Sequence, residues 1–256
     1  MKRMQKGEFR DTELGGMLSQ NEIDFIDFGC SKGGSIAFAN QCFNAKHGLG
    51  IDIDRKKISI AKEAGFHAFE FDINALPNEK LVRFVIMSHF LEHVPNPRDV
   101  KNYLRKACNI SREFIYIQQP YFDADGYLLR RGCKLFWSDW TGHPNRMTSL
   151  ELWRLCRDIK NEGIPITYSL HAFKPIVDSS DACIHPLDTA LDQHDYSSIK
   201  HPAKKATILF NNNVFRELIC LITMPGCDHK KLLKKIRYDL TLIDWNGGFA
   251  SEAVGF

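Results

Sequence analysis

Residues 26–35 read Ile-Asp-Phe-Gly-Cys-Ser-Lys-Gly-Gly-Ser, an apolar strand that passes through a turn of small residues into a helix. Ile23, Phe25, Ile26 and Phe28 have the branched or aromatic side chains that suit a strand, and Ile36, Ala39 and Phe43 recur at helical spacing. Gly29 and Gly33 permit positive φ in the turn, and the first turn of the helix leaves backbone N–H groups without partners. A strand that ends in such a turn is built to hold a ligand.

The same unit then repeats. Residues 48–54 read as a second strand ending in carboxylates, with Asp52 lying 25 residues beyond Asp27, the length of one βαβ unit. Asp52 is placed to accept both hydroxyls of a ribose lying across the strand ends, where open parallel sheets bind ligands. Asp54 is placed to cap a helix over 55–64. Residues 67–72 give a short third strand ending at Asp72, and 84–88 (Phe-Val-Ile-Met-Ser) a fourth, apolar enough to be buried on both faces. Pro97 opens a helix with Val100, Leu104 and Ala107 on one side, and 113–118 form a fifth strand stopped by Pro120. Strands alternating with helices require right-handed crossovers and a parallel sheet, so the fold class is α/β, doubly wound and Rossmann-like.

Composition narrows the setting. With 256 residues, 44% of them hydrophobic, the chain can bury one large core. Its 34 basic and 31 acidic residues leave a net charge of +3, and no basic stripe points to nucleic acid. Eight cysteines without a C-x-x-C pair read as reduced, mostly buried thiols. Neither a signal-peptide core nor a run of about 18 apolar residues is present, so a cytoplasmic protein without a membrane span is expected.

A carboxylate at Asp27, just before the turn, would repel a pyrophosphate but suits the ammonium and sulfonium of S-adenosylmethionine (SAM). The string D-x-G-x-x-x-G-G at residues 27–34 resembles motif I of the class I SAM-dependent methyltransferases. Residues 88–94, Ser-His-Phe-Leu-Glu-His-Val, are similar to the S-x-x-L-E-H-V string that follows the fourth strand in many small-molecule methyltransferases. The resemblance covers roughly residues 23–120 and implies a seven-stranded sheet of order 3-2-1-4-5-7-6. It implies that Asp27, Gly29, Cys30, Ser31 and Gly33 hold the methionine end of SAM, with Asp52 and Ile53 at the ribose. Asp72 would then accept the adenine amino group, Ile73 cover the ring, and Ser88 and His89 complete the contacts. The [D/N]-P-P-[Y/F] signature of amino-directed DNA and protein methyltransferases is missing, so base methylation is disfavoured.

Residues 121–148 carry Tyr121, Phe122, Tyr127, Phe136, Trp137, Trp140 and His143, too long and too aromatic for a connector. They are expected to form an acceptor site or an aromatic mini-core over the next helix. That helix begins near Thr148 or Ser149, buries Leu152, Leu155, Cys156 and Ile159, and ends at Gly163. Strands six (164–170) and seven (215–224) enclose a long insertion, 171–214. Cys183, His185, Asp188, Asp192, His194 and Asp195 lie in it at spacings that match no closed zinc motif, so no metal is expected. The insertion is expected to carry a subunit contact, as in a homodimer, or part of the acceptor pocket. Residues 1–22 form a polar N-terminal segment with a short helix before Gly15-Gly16, either folded over the cofactor or loose, and 23–256 a single domain.

The resemblance implies methyl transfer from SAM to a small-molecule or carbohydrate acceptor, at oxygen more readily than nitrogen. Histidines suit a base for a hydroxyl acceptor: His143 first, then His89, with His93 as a further candidate. Two other readings stay open at this point. One is a non-catalytic SAM-binding subunit, and the other a NAD-linked oxidoreductase, disfavoured by Asp27 and by Ser31 where a dinucleotide fingerprint has glycine.

Overall fold

A computed structural model describes residues 9–20 and 23–244; most of the polar start of the N-terminal segment and the last twelve residues of the expected domain lie outside them. In chain order the strands are β1 (Phe25–Phe28), β2 (Gly48–Asp52), β3 (His67–Glu70), β4 (Val82–Ser88), β5 (Ser111–Pro120), β6 (Cys133–Leu135), β7 (Thr167–Pro175), β8 (Ile184–Pro186), β9 (Phe215–Thr223) and β10 (Leu240–Asp244). The α-helices are α1 (Glu13–Ser19), α2 (Gly34–Phe43), α3 (Arg55–Glu63), α4 (Pro97–Ile110), α5 (Asp125–Leu129), α6 (Ser149–Asn161) and α7 (His229–Leu233).

Eight strands form one sheet in the order β10-β7-β9-β5-β4-β1-β2-β3. The five strands from β3 to β5 pair in parallel, and β9, β7 and β10 add antiparallel. An edge strand, β10, extends the expected seven. Period-two alternation sends Ile26 and Phe28 of β1 to one face, and Phe25, together with Phe84, Phe114 and Tyr116 of β4 and β5, to the other. On that second face Phe25 stacks on Phe84 at 4.8 Å and Phe84 on Phe114 at 4.4 Å, while Phe43 of α2 meets Phe84 edge-on at 5.3 Å. This ladder locks the central three strands to the helix that follows the glycine turn.

Caps fix where the helices start. The Asp54 side chain accepts from the amides of Lys56 and Lys57, Thr148 and Glu151 form a reciprocal capping box on α6, and Gly163 closes that helix at φ 90°. Helix α1 runs through Gly15-Gly16 instead of ending before them. Thr12 caps it, and a Cβ on Gly15 would stand 1.9 Å from the Phe9 carbonyl oxygen, so only glycine allows this approach. Phe9, Leu14 and Leu18 are buried in the main core, and Phe9 meets Phe71 edge-on at 5.9 Å.

β7 runs on to Pro175, so the insertion begins at residue 176, later than the sequence indicated. Its β8 pairs antiparallel with β6, Leu135 opposite Ile184. The aromatic segment and the insertion thereby fold together into one lobe. Lys134 ties it, donating to the Asp139 carboxylate and the Thr189 carbonyl. All eight cysteines are free thiols, six of them buried. No helix among the described residues is long and apolar enough to cross a membrane.

Candidate functional site

The carboxyl ends of β1, β2 and β4, with the chain just beyond β3, surround a cavity of about 410 Å³, within the size range of small-ligand sites. Its floor is the glycine turn. Gly29 and Cys30 donate their amides to the Ile51 carbonyl at 2.8 and 3.2 Å, which ties the turn to β2. Gly29 has φ 72°, and a Cβ there would lie 2.2 Å from the Phe90 ring, so the ring covers the turn only because the residue is glycine. Asp52 joins the two strand ends, its carboxylate accepting from the Ser31 amide at 3.0 Å and the Asp54 amide at 2.9 Å.

Across the cavity, Asp72 accepts from the Asn74 amide and caps the 3-10 turn Ile73–Ala75. Phe71, Ile73, Phe90, Val94 and Tyr103 supply apolar walls. Four carboxylates line the space, Asp52, Asp54, Asp72 and Asp99, against the Lys57 ammonium and the His89 ring, the latter already paired with Glu92 and Glu217. That balance favours a cationic ligand and repels a pyrophosphate.

Of the residues singled out in the sequence, Gly29, Ser31, Asp52, Ile53, Asp72, Ile73, His89 and His93 line this cavity, and Asp27, Cys30, Gly33 and Ser88 do not. Asp27 is fully buried beneath the turn, where it accepts the Ser35 hydroxyl. Burial pushes its pKa up to about 8, against the pull of the Ser35 hydroxyl and with help from nearby Asp52. The strand period explains the displacement: Asp27 shares the face of Phe25, under α2, whereas the cavity opens past the strand end. The Cys30 thiol packs against Gly50, whose Cβ would stand 2.4 Å from the sulfur, and burial pushes it far above its ordinary range. Gly33 lies at φ 91° under Phe66 as the N-cap of α2. Ser88 faces a separate cavity of about 740 Å³ with Ser35 and Gln118.

The three histidines separate into two environments. His89 sits between two glutamates, Nδ1 3.3 Å from Glu92 Oε1 and Nε2 3.3 Å from Glu217 Oε2. Burial pulls its pKa down, but Glu217 and Glu92 outweigh it and raise it to about 10, which favours the charged ring over the neutral one. His93 and His143 form an edge-on pair, ring centroids 4.9 Å apart. Each is held by a backbone carbonyl, His93 Nδ1 2.7 Å from Gly142 O and His143 Nδ1 2.9 Å from Trp137 O. An Nδ1–H donated to those carbonyls leaves each Nε2 with its lone pair free. Burial lowers the His143 pKa and favours the neutral ring.

Asn145 brings the two histidines together. Its amide donates to Glu92 O at 3.2 Å and its side chain to Leu91 O at 3.0 Å, clamping the aromatic lobe onto the 3-10 turn Leu91–His93. Phe90, Tyr103, Glu92, Glu217 and Asn145 were not foreseen as site residues. Glu92 sat inside the L-E-H-V string, and that was the one available signal.

A family model described as a methyltransferase domain matches residues 10–174, more than half of the chain. The chain belongs to the SAM-dependent methyltransferases. Among solved structures, this methyltransferase is similar to a SAM-dependent methyltransferase from Archaeoglobus fulgidus, with a TM-score of 0.52 and 15% identity over 85% of this chain and 97% of that one. It is also similar to the plantazolicin methyltransferase BpumL in complex with S-adenosylhomocysteine (SAH), at TM-score 0.48 and 13% identity over 87% and 94% of the two chains. Magnesium protoporphyrin IX methyltransferase from Synechocystis PCC 6803 with bound SAH gives 0.43 and 12% over 81% and 77%. None of the curated proteins matches the sequence.

Proposed function

We propose that this methyltransferase transfers the methyl group to a hydroxyl of a small polyhydroxylated acceptor of carbohydrate type. The observation that carries the proposal is the contact of His93, on the cavity wall, with His143 of the aromatic lobe at 4.9 Å. It joins the donor cavity to a surface of rings, with Trp140 4.6 Å from His194 and 6.4 Å from His143. Partly exposed ring faces of this kind suit the C–H faces of a sugar, and the imidazole nitrogens between them suit its hydroxyls.

The donor cavity fits SAM through its acidic lining. Asp52, with two amides already bound and lone pairs to spare, would take the ribose hydroxyls, and Asp72 and Ile73 the adenine. Asp27 would act from beneath the turn, on the methionine end, through Ser35 and the turn itself. When bound, SAM supplies a methyl group already activated by its sulfonium. The chain's own task is alignment: the walls exclude water, and the lobe holds the acceptor oxygen in line with the S–CH3 bond.

Calorimetric titration with SAH and with NAD tests the donor site: micromolar SAH binding is expected, and binding of NAD alone would overturn it. Incubation with SAM and a panel of sugars, glycosides and amines, followed by SAH formation and mass shift, tests the acceptor. A gain of one methyl on a hydroxylated acceptor is the expected result; methylation confined to amines, or SAH binding with no turnover on any acceptor, would refute it.

A further inference from the structure

Glu92 is fully buried, its side chain 1% exposed, yet neither carboxylate oxygen has a hydrogen-bond partner among the described residues. A buried carboxylate without donors is costly unless a cation satisfies it. His89 pairs with Oε1 at 3.3 Å but is shared with Glu217, so it balances the two carboxylates only in part and leaves Glu92 Oε2 without a partner among the described residues. One ligand atom from each of Glu92, His93 and His143 lies within 4.8 Å of the others. Both imidazoles have Nδ1 on a backbone carbonyl, the outer-shell bond that fixes the tautomer of metal-binding histidines and turns Nε2 to the ion.

We propose that Glu92, His93 and His143 bind one divalent first-row transition-metal ion at the mouth of the donor cavity, where the acceptor hydroxyl completes its coordination. Two imidazoles and one carboxylate are borderline donors that select zinc, iron, cobalt or manganese over magnesium or calcium. An ion about 2.1 Å from each donor needs them about 3–3.5 Å apart, and ligand atoms already within 4.8 Å of one another reach that spacing by small shifts that keep both Nδ1 bonds. Three protein ligands leave open positions, as a catalytic site requires. The spacing of the sequence hid the site because Glu92-His93 and His143 stand fifty residues apart and meet where Asn145 and the His93–Gly142 bond hold the lobe to the turn.

The proposal rests on the methyltransferase reading and gives the acceptor hydroxyl its activation. Coordination lowers the pKa of the hydroxyl, whose proton passes to solvent. The oxygen lone pair then forms the O–CH3 bond as the S–CH3 bond breaks, and the sulfonium becomes the neutral thioether of SAH.

The test is titration of the metal-stripped full-length chain with Co2+, followed by its ligand-field absorption, and with Zn2+ by calorimetry. One ion per chain is expected, with affinity reduced at least about tenfold in Glu92→Gln and His143→Ala and unchanged in His201→Ala. Because Glu92→Gln alters a buried residue, the His93→Ala/His143→Ala double variant carries the same expectation on the accessible side. Unaltered Co2+ spectra in the His variants, or no stoichiometric binding by the native chain, would overturn the site. SAH titration of the same samples without metal separates the two ideas: intact SAH binding without metal binding refutes only the ion, and loss of SAH binding in the native chain refutes the donor site itself.

Discussion

The Asp52 carboxylate stands 3.0 Å from the Ser31 amide, so one side chain at the end of β2 both orders the turn after β1 and faces the donor cavity. Asp52→Ala removes the carboxylate proposed to accept the ribose hydroxyls and leaves the Ser31 and Asp54 amides without it. SAH affinity is expected to fall by about 10- to 100-fold, the weight of one or two hydrogen bonds to a charged group. Calorimetry reads the affinity, and a thermal melt of the unliganded variant separates turn disorder from lost contact.

Gly29→Ala combines strain with collision. Its backbone sits at φ 72° and the new methyl would lie 2.2 Å from the Phe90 ring. A loss of about 1–3 kcal/mol in urea unfolding is expected, together with weaker SAH binding. Adding Phe90→Ala should relieve the collision while leaving the backbone strain, so the double variant is expected to recover part of the loss made by Gly29→Ala.

Asp27 makes stability depend on pH in a direction opposite to that of a salt-bridged carboxylate. Its pKa rises from 3.8 to about 8 because burial penalises the charge. The folded state therefore holds a proton that the unfolded state releases, and stability falls as pH rises from about 4 toward 8. Melting temperatures of the unliganded protein should decline across this window. Asp27→Asn, neutral throughout, should flatten that part of the decline and be the more stable protein at pH values above 8.

Asn145→Ala removes the side-chain bond from the lobe to the Leu91 carbonyl and keeps the backbone bond to the Glu92 carbonyl. The Leu91 carbonyl keeps the Val94 amide, so the expected cost is that of one hydrogen bond, about 0.5–1.5 kcal/mol. Hydrogen exchange should quicken in 140–147 and around His93, while β1 to β5 keep their protection. Equal exchange in the two proteins would show that the lobe is held by other contacts.

The strand-end carboxylates and the helix starts were readable because they depend on local spacing. Asp52 and Asp72 fall at successive strand ends, and Asp54, Thr148 and Gly163 mark helix boundaries by residue type alone. Asp27, one residue before Phe28, points under α2 and not into the cavity, a distinction set by the pleat. Glu217 and Asn145 were out of reach because their partners, His89 and Leu91, lie far away in the chain. Strands β6 and β8 have three residues each and hold together only through each other, so neither leaves a periodic trace.

That mutual dependence has a consequence for how such a protein can change. Because β6 and β8 complete each other across some fifty residues of intervening chain, neither segment can be exchanged alone without stranding its partner's backbone. A graft intended to redirect this scaffold to a new acceptor must therefore transfer both pieces together, with the five parallel strands left as a common chassis.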